Sequence, residues 1–395
     1  MVEGQSCTFN LLENKIKADD HRKTVWIHAA SLGEFEQGRP LIEMIRRNQP
    51  DYRIVLTFFS PSGYEIRKHY KDADVVCYLP FDTSANAKRF LDTVSPDIAV
   101  FVKYEFWGNY LQQLSHRSIP TYIISSIFRQ GQIFFRPWGG MFRRMLDCFT
   151  RIYVQDDASR QLLASIGVSD VTVAGDTRFD RVSDILASCK PFPIVERFAS
   201  SSQFTLIIGS SWQPDEDIVI PYFNTHPGMK LIIAPHEFDD ARLQAMKERI
   251  TRPTVLYTEA TEAKVADADC LIINCFGILS SCYRYARAAY IGGGFGAGIH
   301  NLNEAAVYGI PVIFGPNHSK FKEAHDLIEC GGGFTITGHD DFDRLADSLT
   351  SDVEFLAASG NAAGTYIKQH LGATKRIYNE LFSTTTSGRK HQISK

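Results

Sequence analysis

Residues 291–316 read IGGGFGAGIHNLNEAAVYGIPVIFGP, and this stretch decides the fold. An apolar strand end runs into Gly292, Gly293, Gly294, Gly296 and Gly298. Glycines let the backbone approach a ligand closely and open the N–H groups of the helix that follows. Asn301 reads as the N-cap of a helix through LNEAAVYG, and Gly309 as its end. Glu304 falls in the first turn, where a carboxylate either accepts hydrogen bonds from vicinal ribose hydroxyls or simply complements the helix dipole. A second strand end, PVIFGP, follows at once. Strand, glycine turn, helix and strand form one unit of a parallel α/β sheet, which takes its ligand at the carboxyl ends of the strands.

The same alternation extends in both directions. Upstream lie strands at 205–208, 230–234, 254–257, 270–273 and 288–291, and 311–314 follows the glycine turn. An earlier series occupies 24–30, 53–58, 74–78, 98–102, 120–125, 151–154 and 171–174. After the first of these strands, SLGEFEQGRP reads as a loop before a helix over 40–48. Between the series the pattern blurs around Pro191, Pro193 and SSSQ. The expected organisation is a Rossmann-like lobe over 1–183, a linker over 184–203, a second Rossmann-like lobe over 204–382 ending in a long helical stretch from 353, and a disordered tail over 383–395. Two doubly wound α/β lobes with a cleft between them are the predicted architecture.

Bulk composition removes other classes. The 395 residues carry 42 basic and 45 acidic side chains, a net charge of −3, where a dedicated nucleic-acid binder shows a basic excess. The eight cysteines are scattered without a CxxC pair or zinc spacing, and they read as reduced thiols of a cytosolic protein. No stretch approaches the ~18 apolar residues of a membrane span. The first 24 residues are polar and resemble neither signal peptide nor anchor.

Chemistry-bearing residues cluster just after strands. HAASLGE places Gly33 where a sharp turn is expected and Glu34 at the mouth of a helix. Glu34 is either a general base on a hydroxyl or a dipole-stabilising acid. FVKYEFWGNY places Glu105 among aromatic residues, where a carboxylate needs a partner; the alternatives are a reactive carboxylate and a structural pair with Lys103 or Arg117. Arg178, in GDTRFD, is suited to balance a phosphate or an acidic sugar. Ser210 and Ser211, in GSSWQPDED, follow a strand and are placed to hydrogen-bond a nucleotide-linked donor, whereas the acidic run 215–217 reads as a helix start in preference to a metal site. Pro235–His236 and Phe276–Gly277–Ile278 end two further strands, as plain turns or as backbone readers of a base.

The glycine segment resembles the donor motif of GT-B type glycosyltransferases. Taken together, HAASLGE, FFSPSGYE, YLPFD, KYEFWGNY, GDTRFD, GSSWQPDED, APHE, HNLNEAA and GIPVIFGP resemble the 3-deoxy-D-manno-octulosonic acid (Kdo) transferases of lipopolysaccharide assembly, in family order from about residue 24 to 335. That resemblance implies transfer of Kdo from CMP-Kdo to a lipid A precursor, lipid IVA, with no cofactor and no metal. It implies Glu34 as general base, with Glu105 and Arg178 supporting the transition state. It assigns CMP-Kdo to Ser210, Ser211, Pro235, His236, Phe276, Gly277, Ile278, Gly294, His300, Asn301, Leu302, Asn303 and Glu304, and the acceptor to Ser31, Gly33, Ser60 and Arg129. The chain departs from the family pattern at Arg178, where Lys is usual, at His236, where Arg is usual, and at 276–278, often Met-Gly-Glu.

Residues 127–144, IFRQGQIFFRPWGGMFRR, interleave aromatic side chains with Arg129, Arg136, Arg143 and Arg144. Such a mixture suits an anionic lipid interface. The alternative for this segment is a core helix with a charged face. Together with the resemblance, the lipid reading implies a peripheral location on the cytoplasmic face of the bacterial inner membrane, and the charge balance implies no nucleic-acid partner. The other readings are a different GT-B nucleotide-sugar transferase or epimerase, and a non-catalytic lipid A or nucleotide-binding protein.

Overall fold

A computed structural model of the chain describes residues 7–17 and 19–387. It divides into two compact units: one formed by the chain up to Arg181 together with the segment from Leu371, the other by Val182–His370.

Among the described residues the first unit holds a seven-stranded parallel sheet of order β3-β2-β1-β4-β5-β6-β7. Its strands are β1 (Thr24–His28), β2 (Arg53–Phe58), β3 (Val75–Tyr78), β4 (Ile98–Val102), β5 (Thr121–Ser126), β6 (Arg151–Val154) and β7 (Val171–Val173). β1, β2 and β4 are buried at every residue, which is why TVWIH, RIVLTF and IAVFV read as near-continuous apolar runs. One face buries Trp26, Phe90, Phe101 and Tyr110; the other buries Phe35, Ile42, Ile377 and Leu381.

The second unit repeats the plan with order β10-β11-β9-β8-β12-β13-β14. Its strands are β8 (Phe204–Ser211), β9 (Met229–Pro235), β10 (Thr254–Leu256), β11 (Cys270–Ile272), β12 (Ala288–Ile291), β13 (Val312–Phe314) and β14 (Gly333–Thr335). The doubly wound α/β class is thus as expected in each unit.

The domain limits differ from expectation. Residues 184–203 are not an open linker but contain the end of helix Thr177–Ala187 and the helix Pro193–Ala199, which buries Val195 and Phe198. The long stretch from 353 breaks into helices Val353–Gln369 and Ala373–Ser387 at Gly372, whose φ is +101°. The second of these helices belongs to the first unit, not the second. Ile377 and Leu381 bury in that unit's core, Asp180 accepts from the Gly372 and Thr374 N–H groups (2.6 and 2.7 Å), and Tyr153 donates to Glu380 at 3.0 Å. Residues 383–387 of the expected tail continue this helix; 388–395 lie outside the described residues. Thr8–Lys15, within the polar N-terminal stretch, is a helix that buries Phe9 and Leu12. Among the described residues no helix is long and apolar enough to cross a membrane.

Candidate active site

In the first unit β1 and β4 are neighbours in the sheet although distant in sequence. The helix after β1 packs on one face and the helix after β4 on the other. The carboxyl ends of such a strand pair are the usual ligand position of a doubly wound sheet. Glu34 and Glu105 follow these two strands.

Glu34 lies in the first turn of helix Leu32–Asn48, which begins eight residues before the expected start because Gly33, Gly38 and Pro40 are all accommodated within it. A Cβ on Gly38 would lie 3.0 Å from Val102 Cγ2, so the missing side chain lets this helix pack close to β4. Gly33 is helical and makes no sharp turn; a Cβ there would meet nothing closer than Ser31 Oγ at 4.0 Å. The direction change falls instead on extended Ser31 (φ −133°, ψ 172°). Ser31 donates from its N–H (2.8 Å) and hydroxyl (3.0 Å) to Glu34 Oε2, so this acid closes a capping box in the first turn, where it also meets the helix dipole. Oε1 accepts nothing from the described residues. Gly63 lets the next helix, Pro61–Arg67, press against this corner: a Cβ there would lie 3.1 Å from the Ser31 carbonyl carbon and 2.3 Å from the Phe58 ring. Ser60 caps that helix through Ser62 N–H at 3.2 Å.

Glu105 is reached through Lys103, which adopts a left-handed φ of +72°. A non-glycine residue there costs roughly 1–3 kcal/mol and persists only where its surroundings fix it. Lys103 N–H donates to the Ile124 carbonyl (2.8 Å), and Ser126 Oγ donates to the Lys103 carbonyl (2.9 Å). The Glu105 side chain is only 12% exposed. Its Oε2 faces Trp107 Nε1 at 2.6 Å and His28 Nε2 at 3.1 Å. Arg117, weighed as a structural partner, pairs with Asp92 at 2.8 Å instead. Burial pushes the neighbouring Tyr104 phenol up; Arg129 pulls it down, and Asp156 and Glu34 push it further up. Those four groups therefore share one electrostatic neighbourhood.

Arg178 opens helix Thr177–Ala187 and is held by Asp176, with Nε–Oδ2 at 2.8 Å and Nη2–Oδ2 at 2.7 Å. Thr177 anchors this turn between Ser125 Oγ (3.0 Å) and the Gln37 carbonyl. Arg178 is thus a paired cation beside the β5 end rather than a solvated one.

In the second unit the expected residues gather at the carboxyl ends of β11, β9, β8 and β12, which are neighbours in that order. The glycine turn is built for close approach. A Cβ on Gly294 would lie 2.6 Å from Gly315, and one on Gly292 would lie 2.3 Å from the Ser210 carbonyl. Gly293 (φ +92°) and Gly298 (φ +142°) are left-handed. The helix that follows is a single turn, Asn303–Ala306, ended by Gly309 at φ +71°. Asn301 is therefore not its N-cap, which is Leu302; it sits one position before the cap, accepts from Asn303 N–H at 3.2 Å and donates to Glu304 Oε1 at 3.1 Å. Asn303 is fully buried, and neither its Oδ1 nor its Nδ2 has a partner among the described residues. Leu302 is also fully buried and packs rather than presenting its side chain.

Ser211 is fully buried and donates to Glu216 at 2.8 Å, so its hydroxyl is committed; Ser210, left-handed at φ +54°, is the more exposed of the pair. Asp215 does more than start a helix. Its Oδ1 accepts from Tyr290 Oη (2.9 Å), and its Oδ2 from Trp212 N–H (2.9 Å) and Gly293 N–H (3.0 Å), which ties the β8 end to the glycine turn.

His236 stacks on His300 (ring centroids 4.4 Å) and lies against Trp212 (4.8 Å). Trp212 Nε1 is 3.2 Å from His300 Nε2. An indole N–H only donates, so His300 accepts there and is neutral in this arrangement. Burial holds the His300 imidazole below its usual value, with His236 pushing the same way against a pull from Asp215. Phe276 is 80% exposed and meets Phe238 at 4.9 Å; Gly277 beside it is left-handed at φ +89°. Sequence reading missed His28, Trp212 and Phe238 as site residues. Their signal was position: each sits at, or within three residues of, the end of a buried strand that already carried a candidate.

Two parallel doubly wound units, each with its functional loops at the strand carboxyl ends, define a GT-B type fold. Solved structures agree at the level of fold. The UDP-GlcNAc 2-epimerase from Neisseria meningitidis bound to UDP-GlcNAc aligns over 91% of this chain and 100% of its own, with TM-score 0.64 and 14% identity. Acinetobacter baumannii MurG aligns over 92% and 99%, with TM-score 0.60 and 11% identity.

Sequence comparison narrows the class. Residues 8–181 match the family described as 3-deoxy-D-manno-octulosonic-acid transferase (kdotransferase). The 3-deoxy-D-manno-octulosonic acid transferase of Aquifex aeolicus (strain VF5) is 25% identical over 356 residues, 87% of this chain and 92% of that one. That of Rickettsia conorii is 26% identical over 378 residues (91% and 76%), and that of Haemophilus influenzae 23% over 374 (90% and 86%). The first unit thus matches the Kdo transferase family model, and the chain is similar to Kdo transferases along most of its length.

Proposed function

We propose that this protein transfers Kdo from CMP-Kdo to a lipid A precursor, lipid IVA. The observation that carries the reading is Glu34: its Oε2 is fixed by two donors from Ser31 while Oε1 is uncommitted. A carboxylate held in this way needs little reorganisation to take a proton. Glu34 Oε1 removes the proton from a sugar hydroxyl of the acceptor. The hydroxyl oxygen bonds to the anomeric carbon of Kdo as the bond from that carbon to the CMP phosphate oxygen breaks, and CMP leaves with the electron pair. Glu105 and Arg178 support the charge that develops. No metal ion takes part in this reading.

In the second unit Glu304 accepts from the ribose hydroxyls, Asn301 holding its carboxylate. The left-handed glycines bring the turn backbone up to the phosphate, beside His236 and His300. The loop Phe276–Gly277–Ile278 meets the base. Ser31, Gly33, Ser60 and Arg129 line the acceptor side; the open space at Gly33 favours a bulky sugar there.

The lipid acceptor requires a membrane surface, and the segment after β5 suits one. Arg129, Arg136 and Arg144 are exposed, with Trp138 72% and Met141 64% exposed among them. Cations mixed with large apolar side chains favour an anionic interface. Docking there is peripheral, at the cytoplasmic face of the inner membrane. A thermal-shift panel with CMP, UDP and ADP tests the donor: stabilisation by CMP is expected, and stabilisation by UDP alone would overturn the reading in favour of another nucleotide-sugar enzyme.

A further inference from the structure

His28, the last residue of β1, is fully buried, yet it contacts one of the two carboxylates at the strand ends of its unit. Its ring lies edge-on to Trp107 (5.4 Å) and Phe101 (5.9 Å). Nδ1 is 2.9 Å from Thr57 Oγ1, and Nε2 is 3.1 Å from Glu105 Oε2.

One fixed donor sets the direction of the whole chain of bonds. Trp26 Nε1–H can only donate, and it does so to Thr57 Oγ1 at 2.9 Å. Thr57 then has a single hydrogen to give, either to the Ile27 carbonyl at 3.4 Å or to His28 Nδ1 at 2.9 Å. The shorter contact is the stronger bond. His28 Nδ1 therefore accepts, the ring proton sits on Nε2, and Nε2–H donates to Glu105. The opposite tautomer would set an imidazole lone pair against a carboxylate lone pair between aromatic walls, where an unmade hydrogen bond is costly.

Glu105 Oε2 thus takes two N–H donors, from His28 and Trp107, and Oε1 takes none from the described residues. We propose that His28 is a positioning residue, fixing through Nε2–H the orientation of Glu105 so that its second oxygen faces the reacting sugar. Trp26 and Thr57 hold the tautomer that makes this possible, as outer partners hold the histidines of other sites. The inference rests on the role given above to Glu105, and its test separates the two.

Turnover of CMP-Kdo with lipid acceptor is measured for wild type, His28→Leu, His28→Gln, Glu105→Ala and the double variant His28→Leu/Glu105→Ala. His28→Leu should lower kcat by about 10- to 100-fold, the usual scale for losing an outer partner, with donor KM little changed. His28→Gln, whose amide N–H reaches toward the same oxygen, should recover most of that loss. The double variant should be no slower than Glu105→Ala alone, because His28 acts through Glu105. Additive losses, or a His28→Leu enzyme of wild-type kcat, would overturn the proposal. Nitrogen-15 NMR of the imidazole gives a readout free of turnover. An Nε2–H tautomer whose resonance moves in Glu105→Ala supports the geometry, and an Nδ1–H tautomer refutes it. A wild-type protein that shows this tautomer and coupling but does not use CMP-Kdo would count against the donor reading instead.

Discussion

Replacing Asp215 with alanine should unfasten the glycine turn from the β8 end. Asp215 is 1% exposed and accepts three hydrogen bonds, from Tyr290 Oη, Trp212 N–H and Gly293 N–H. Tyr290 is itself fully buried, so its hydroxyl has no water to turn to. Stranding three donors at about 1–2 kcal/mol each gives a loss of about 3–6 kcal/mol. For a unit of this size that is a fall in Tm on the order of 10 °C. Asp215→Asn keeps the shape and one acceptor oxygen, so about half the loss is expected. The assay is urea unfolding followed by circular dichroism and tryptophan fluorescence. Trp212 is the one tryptophan of the second unit, because the other three, Trp26, Trp107 and Trp138, belong to the first. The transition reported by Trp212 should move to lower urea while that of the first unit stays, and CMP should lose its stabilising effect in step. A loss under about 1 kcal/mol in Asp215→Ala, or equal losses in both units, would show that Asp215 does not fasten the glycine turn.

Other outcomes follow from the same contacts. Gly63→Ala places a Cβ 2.3 Å from the Phe58 ring, so it should displace helix Pro61–Arg67 from Ser31 and reduce both stability and turnover, measured by thermal melting and initial rates. His300 and His318 are both held below the usual histidine value of 6.5 by burial. Below pH 6.5 the unfolded chain therefore binds protons that the folded one refuses, and stability should fall as pH drops from 7 toward 5.5. Replacing both by Gln should flatten that fall in Tm, and an unchanged slope would reject the assignment. Replacing Arg129, Arg136 and Arg144 with Ala should weaken cosedimentation with anionic vesicles by about 100-fold, at about 1 kcal/mol per arginine, and little with neutral ones.

The strands were the most legible part of the chain. Arg53–Phe58, Ile98–Val102, Arg151–Val154 and Ala288–Ile291 have the limits that their apolar runs suggest, because most of their residues are buried on both faces. The helix from Leu32 was hidden by Gly33, Gly38 and Pro40, residues that usually punctuate loops but here permit close packing and a tolerated proline. β14 was missed because GGGFTI offers only three strand residues behind a glycine run. The return of Ala373–Ser387 to the first unit was not readable at all. Periodicity marks Ile377 and Leu381 as a buried face but carries no information about which core receives it.

The site divides along the same line. Residues at strand ends, such as Glu34, Glu105 and Glu304, are marked by their local sequence. What holds them is not. The bonds of His28 to Thr57 and Glu105, and of Asp215 to Tyr290 and Gly293, join positions 29 to 78 residues apart that only the sheet brings together. Ser211 shows the converse: a hydroxyl at a strand end that looked available is spent on a buried carboxylate.

Mass spectrometry of a lipid A precursor incubated with CMP-Kdo and the protein reads the transfer itself. Wild type should convert the precursor to Kdo-bearing product, and Glu34→Gln should yield none while CMP-Kdo still raises its Tm. No Kdo-bearing product from wild type, or wild-type conversion by Glu34→Gln, would contradict the account.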